Sequence, residues 1–180
     1  MSISRVRLHI WLALSLLCAP AIPGRLEASG RQPDSATAAL AEQGTVARII
    51  DGDTIELSDG RIVRYIGMDT PEVRRREGYR WVEDPQPFAR EASRANAALV
   101  AKRTVRLEYD IRRRDKYGRE LAYVYVSEPD GRELMVNEEL LRLGAARLLT
   151  IPPDVRYVER FRQAQADARR AKRGMWGEAP

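Results

Sequence analysis

Histidine and cysteine are almost missing from this chain of 180 residues. There is one of each, His9 and Cys18. Both fall in an N-terminal stretch with the marks of a secretory signal: basic Arg5 and Arg7, an apolar core from Ile10 to Leu17, and small residues at Ala19-Pro20-Ala21. A mature chain cut after residue 21 then has neither residue. That excludes disulfides even in an oxidising compartment, and it excludes structural zinc of the Cys/His type. Ser-His-Asp and Cys-His catalysis are excluded as well. Any general base must be a carboxylate, a lysine or a tyrosine.

Long hydrophobic runs are also lacking. The stretch from Ile10 to Leu17 is too short to span a bilayer comfortably. A second candidate cut follows Ala28. Bulky Leu17 before Cys18 disfavours a lipid anchor there, and an uncleaved anchor is the other alternative. The charge is not lopsided. Loss of Arg5 and Arg7 lowers the formal net charge from +5 to +3. A mildly basic surface suits either an enzyme that must release nucleic-acid products or an ordinary soluble protein.

Residues 22–43 mix Ala, Ser, Pro, Gln and charge with almost no large apolar side chain, and they read as a flexible linker. A single domain is expected over 44–177. Val46, Ile49 and Ile50 lead into Asp51-Gly52, and Ile55 and Leu57 alternate before Ser58-Asp59-Gly60. Ile62, Val63, Tyr65 and Ile66 make a third strand, Val105 to Ile111 a fourth and Leu121 to Val126 a fifth. Helices are expected from Pro87 to about Lys102, from an Asn137 cap to Gly144, and from about Asp154 to Arg173. In the first, Phe88, Ala92, Ala95 and Leu99 fall on one face. In the last, Val158, Phe161, Ala164 and Ala168 do so. The expected class is β-rich α+β: a five-stranded OB-fold Greek-key barrel with three packed helices.

Three polar stretches interrupt this pattern. Asp51-Gly52-Asp53-Thr54 is a hairpin turn or a carboxylate presented at a strand end. It is not an EF-hand, because Ile55 stands where a third oxygen ligand belongs. Asp69-Thr70-Pro71-Glu72 is a solvated acidic turn or a bend with both carboxylates on one side. Arg64, amid Ile62, Val63, Tyr65 and Ile66, either points to solvent by alternation or reaches into a site. Asp115-Lys116-Tyr117-Gly118-Arg119 is a polar hairpin loop or a phosphate-binding loop. Together they supply three carboxylates and two arginines for one phosphate, the set that metal-assisted phosphodiester hydrolysis needs.

The order and spacing of these motifs resemble the staphylococcal nuclease (thermonuclease) family. The resemblance covers about Gly44 to Gly177 and includes Leu121-Ala122-Tyr123-Val124-Tyr125, Met135-Val136-Asn137-Glu138 and Trp176 after a basic stretch. It implies an OB-fold, calcium-dependent nuclease cutting DNA and RNA, with single-stranded or locally opened substrate favoured. The implied products carry 3′-phosphates and 5′-hydroxyls. Asp53 and Asp69 are then calcium ligands with the Thr70 carbonyl. Glu72 is the general base, Arg64 and Arg119 bind the scissile phosphate, and Lys116 and Tyr117 bind substrate. A monomer, secreted or periplasmic and without a stable membrane partner, is expected. The alternative is a catalytically silent OB-fold module that binds nucleic acid or protein. Leu148-Leu149-Thr150-Ile151-Pro152 replaces two tyrosines of the family's substrate pocket. Trp81 and Tyr157 are the aromatic candidates to take their place.

Overall fold

A computed structural model describes residues 41–177. The expected signal peptide at 1–21 and the linker up to residue 40 lie outside the described residues. The linker boundary itself moves. Strand β1 runs Ala41–Asp51, and Ala41, Glu42 and Gln43 already pair with Glu108, Leu107 and Arg106. Glu42 and Gln43 are polar and partly or fully exposed, so composition alone makes this stretch look like tether.

The barrel forms as expected. β1 pairs with β2 (Thr54–Leu57), and β2 with β3 (Ile62–Tyr65), both antiparallel. β1 also pairs with β7 (Thr104–Glu108), which pairs with β8 (Glu120–Ser127). A parallel contact of β3 with β8, Val63 opposite Glu120 and Tyr65 opposite Ala122, closes the five-stranded OB-type barrel. Two register shifts in β1 bend it so that one strand serves both flanks. Ile55, Leu57, Val63, Val105, Leu107 and Val124 fill the centre, all essentially without exposure. β8 lacks strict alternation because both its faces are covered. Tyr123 packs edge-on against Tyr157, at 4.6 Å between ring centres, and against Phe161 at 5.9 Å.

Helices α1 (Ala89–Val100), α2 (Val136–Arg142) and α3 (Val158–Arg170) pack on this barrel. In α1 the fully buried stripe is Ala89, Ala92, Asn96 and Val100, rotated from the face expected from sequence. Ala95 and Leu99 only flank the core, and Phe88 is the residue before the helix. α3 begins four residues later than expected. Asp154 is taken out of it by Arg112, whose backbone N–H and Nε both donate to its carboxylate at 2.8 Å. Asn137 does not cap α2. Its buried side chain accepts from Val124 N–H at 2.8 Å and donates to the Ile66 carbonyl at 2.9 Å. It joins the helix to β8 and to the turn after β3.

Smaller pieces complete the domain. β4 (Met68–Asp69) pairs with β10 (Arg147–Leu148), and β9 (Glu133–Met135) extends β8. β5 (Arg74–Glu77) and β6 (Arg80–Glu83) form a hairpin that the sequence pattern does not announce.

Candidate active site

The site assembles where three chain turns meet at one end of the barrel. Asp53 follows Gly52 in the turn between β1 and β2 and is wholly buried. Gly52 is needed there. A Cβ at this position would lie 2.8 Å from Thr70 Oγ1 and 2.9 Å from Ala92 Cβ. The closeness of that turn to Thr70 is what puts the first and second motifs together. Thr70 N–H donates to Asp53 Oδ2 at 3.0 Å, and Thr54 Oγ1 donates to Asp53 Oδ1 at 3.0 Å. Behind the turn, Asn96 accepts from Tyr65 O–H at 2.9 Å and donates to the Asp51 carbonyl at 3.0 Å.

Arg64 points into the site. On β3 it faces Thr54 across the ladder, and its guanidinium joins two carboxylates. Nη1 bonds Asp53 Oδ1, and Nη2 donates to Asp69 Oδ1 at 2.7 Å. Arg147, placed by the β4–β10 pairing, stands 3.9 Å from the other oxygen of Asp69. Burial lowers the pKa of Arg64, but the neighbouring carboxylates of Asp53, Asp51 and Asp69 outweigh it and raise it, so the group stays charged. Burial pushes Asp53 well above the usual carboxylate range, with Asp51 adding to the effect and Arg64 opposing it. Among the described residues, no three His, Cys, Asp or Glu side chains are grouped closely enough to hold a metal ion.

Glu72 stands at the mouth. Its backbone is bracketed by one residue, Gln86. Glu72 N–H donates to Gln86 Oε1 at 3.1 Å, and Gln86 N–H donates to the Glu72 carbonyl at 2.9 Å. Partial desolvation first, and the Asp51 charge second, raise the carboxyl pKa. Arg119 shares a groove of about 610 Å³ with Asp51 and Glu72. Asp115 aims it, accepting from Arg119 Nε at 2.7 Å and from the backbone N–H groups of Arg119 and Tyr117 at 3.0 and 2.9 Å. Arg64, Arg119, Lys116 and Tyr117 line a second groove of about 520 Å³. Tyr117 is 71% exposed, with the Lys116 ammonium 5.1 Å and the Arg119 guanidinium 5.4 Å from its ring centre. Leu149 and Ile151 line this groove where the family's tyrosines are missing. Tyr157 is not their substitute, because its hydroxyl donates to Glu108 at 2.7 Å and its ring packs on Tyr123.

The sequence that builds this site has clear relatives among known proteins. A family model described as staphylococcal nuclease homologue matches residues 62–178. The chain belongs to that family. It is 41% identical over 134 residues to a thermonuclease of Staphylococcus hyicus, covering 73% of each chain. To a thermonuclease of Staphylococcus intermedius it is 37% identical over 145 residues, covering 79% of this chain and 80% of that one. It is also 39% identical over 140 residues to the endonuclease YncB of Bacillus subtilis, covering 75% of this chain and 62% of that one.

In this staphylococcal nuclease homologue, eight residues were singled out from the sequence. Asp53, Arg64, Asp69 and Thr70 form one bonded cluster. Glu72 and Arg119 share one groove, and Lys116 and Tyr117 share the other with both arginines. Sequence reasoning missed four supports. Asp51 in the first motif has the sequence signal of a turn residue only. Its Oδ1 accepts from Asp53 N–H at 3.1 Å, and its charge bears on both Asp53 and Glu72. Asp115 opens the third motif, and its sequence position gives it no role of its own. Asn96 had a signal in being the one amide on the buried face of α1. Gln86 had none.

Proposed function

We propose that this protein is a calcium-dependent endonuclease that hydrolyses DNA and RNA, leaving 3′-phosphate and 5′-hydroxyl ends. One observation carries the reading. Arg64 and Arg119 line one groove, Arg119 also lines the groove that holds Asp51 and Glu72, and Arg64 bonds the Asp53–Asp69 pair. A phosphodiester bridging the two arginines has its equatorial oxygens neutralised by planar, charge-assisted donors. Glu72, with its raised pKa, takes the proton from a water that attacks phosphorus. The bond to the 5′-oxygen breaks, and that oxygen leaves protonated by solvent.

The donors fit a hard divalent cation by type and charge. Asp53, Asp69 and the Thr70 carbonyl offer oxygen only, and Asp51 and Glu72 add further negative charge nearby. Burial is the main cause that raises Asp53 and Glu72, and the Asp51 charge raises both further while Arg64 opposes it. Bound there, a calcium ion would supply Lewis-acid stabilisation of the phosphoryl oxygens. Arg64 meanwhile holds Asp53 and Asp69 close to each other. Single-stranded or locally opened substrate is favoured because the exposed Tyr117 ring stacks only on an unpaired base. On the strength of the N-terminal signal features, we place the enzyme outside the cytoplasm and expect it to act as a monomer.

The test is digestion of single-stranded DNA, plasmid and RNA by the full chain, with end-group analysis of products. Calcium should support cleavage, and magnesium should support little, since it dehydrates reluctantly and demands a tighter octahedron. Full activity in magnesium with calcium removed would sink the calcium assignment. Binding without cleavage in any metal would favour the silent module.

A further inference from the structure

The β5–β6 hairpin has no role in the chemistry above, yet it grows directly out of Glu72. Val73 O accepts from Asp84 N–H at 3.1 Å, just beyond the two Gln86 bonds to Glu72. In the hairpin register, Arg74 lies opposite Glu83 and Arg76 opposite Trp81. Trp81 is 67% exposed, an uncommon placement for the largest aromatic side chain on a charged hairpin. Trp81 and Arg74 line the 610 Å³ groove together with Asp51, Glu72 and Arg119. Arg90 Nη2 engages Glu83 at 2.7 Å, which offsets a carboxylate otherwise repulsive to a polyanion.

Arg119 lines both this groove and the 520 Å³ groove that carries Lys116 and Tyr117. A phosphate held by Arg119 therefore sits at the junction of two channels. A strand that continues in both directions has one channel for each side. The hairpin groove lies within the roughly 300–1,000 Å³ range of ligand sites. It pairs an exposed indole with a guanidinium, the combination that binds single-stranded nucleic acid by stacking and backbone charge.

We infer that the hairpin groove is a second nucleotide-binding subsite. There Trp81 stacks on an unpaired base on the side of the scissile phosphate away from Tyr117, and Arg74 contacts the adjoining backbone phosphate. This rests on the nuclease reading above and adds to it. The hairpin sets a preference for strands extended past the cleaved bond, and so favours internal cleavage.

The experiment compares cleavage of one defined bond in three single-stranded substrates. These are a dinucleotide, the same dinucleotide extended by two residues at its 5′ end, and the same extended at its 3′ end. Wild-type full chain should gain in kcat/KM from extension on one side through Trp81. Trp81→Ala should erase that gain, about 5- to 150-fold by the usual worth of a stacked base, chiefly through KM. Trp81→Phe should keep most of it. Arg74→Ala should reduce the salt dependence of binding the extended strand by about one phosphate contact. Thermal melts of each variant confirm that the fold is retained.

An equal loss on the dinucleotide and both extended strands would overturn the inference, because it would mark Trp81 as structural. So would wild-type kinetics for Trp81→Ala on every substrate, while leaving the nuclease reading intact. Failure of wild type to cut any bond or to bind any strand would overturn both.

Discussion

Replacing Asn137 separates two accounts of one residue with different magnitudes. As a helix cap, it would be exchangeable with Asp or Ser, and loss to Ala would cost about 1 kcal/mol. In the structure the side chain is fully buried, accepts from Val124 N–H and donates to the Ile66 carbonyl. The Ala122 carbonyl, also in reach of Nδ2 at 3.4 Å, keeps a second donor in Ile66 N–H at 3.0 Å. Asn137→Ala therefore leaves two buried backbone groups unpaired. At about 1–3 kcal/mol each, the loss is roughly 2–6 kcal/mol, out of a total of about 5–15 kcal/mol. At about 4 °C per kcal/mol for a domain of this size, Tm should fall by roughly 8–24 °C. Asn137→Asp should do no better. It can still accept from Val124, but it turns a second oxygen on the Ile66 carbonyl and buries a charge. Asn137→Ser is too short to reach both partners. Urea melts followed by far-UV circular dichroism give ΔΔG for all three variants. A loss within about 1 kcal/mol for Ala, with Asp or Ser close to wild type, would refute the buried junction and restore the cap.

Two further outcomes bear on the site. Glu72→Gln keeps shape but cannot accept a proton at neutral pH, so kcat should fall by about 10²–10⁴ while oligonucleotide affinity holds or rises; equal kcat in saturating calcium would remove Glu72 from the mechanism. Asp115 has a pKa below the usual range, because burial, which raises it, is outweighed by the Arg119 Nε bond and the two backbone N–H donors. A depressed folded-state pKa contributes stability that is present above the unfolded value of about 3.9 and is lost as pH falls through the folded value. Asp115→Asn should therefore lower Tm at pH 5 and converge with wild type in strongly acid solution, and a Tm difference that does not change between those pH values would contradict this.

Much of the fold was legible because local patterns carry it. Alternating apolar residues mark β2, β3 and β7 whatever their partners, and Phe161, Ala164 and Ala168 mark α3 by helical spacing. The hairpin of β5 and β6 was not legible. Arg74 to Glu83 has no apolar alternation to read, since most of it faces water. The start of β1 at 41–43 was hidden for the same reason, since Glu42 and Gln43 are polar. For the site, residue types and their order in the motifs, together with the family resemblance they carry, pointed to Asp53, Arg64, Asp69, Thr70, Glu72, Lys116, Tyr117 and Arg119.

What each of those residues touches was a tertiary matter. Arg64 was balanced between solvent and site by its sequence, and the Gly52 turn closing on Thr70 and Ala92 settled it by bringing Asp53 under the guanidinium. Asn137 looked like a cap because caps are local, but its partner Ile66 is 71 positions away. Gln86 and Asp115 orient Glu72 and Arg119 through hydrogen bonds whose strength depends on angles and distances that no spacing encodes. The sequence by itself determined which chemical groups this protein has to work with and the strands and helices that carry them. Burial and hydrogen bonding between distant turns decided which of those groups meet, because both depend on three-dimensional proximity and not on position along the chain.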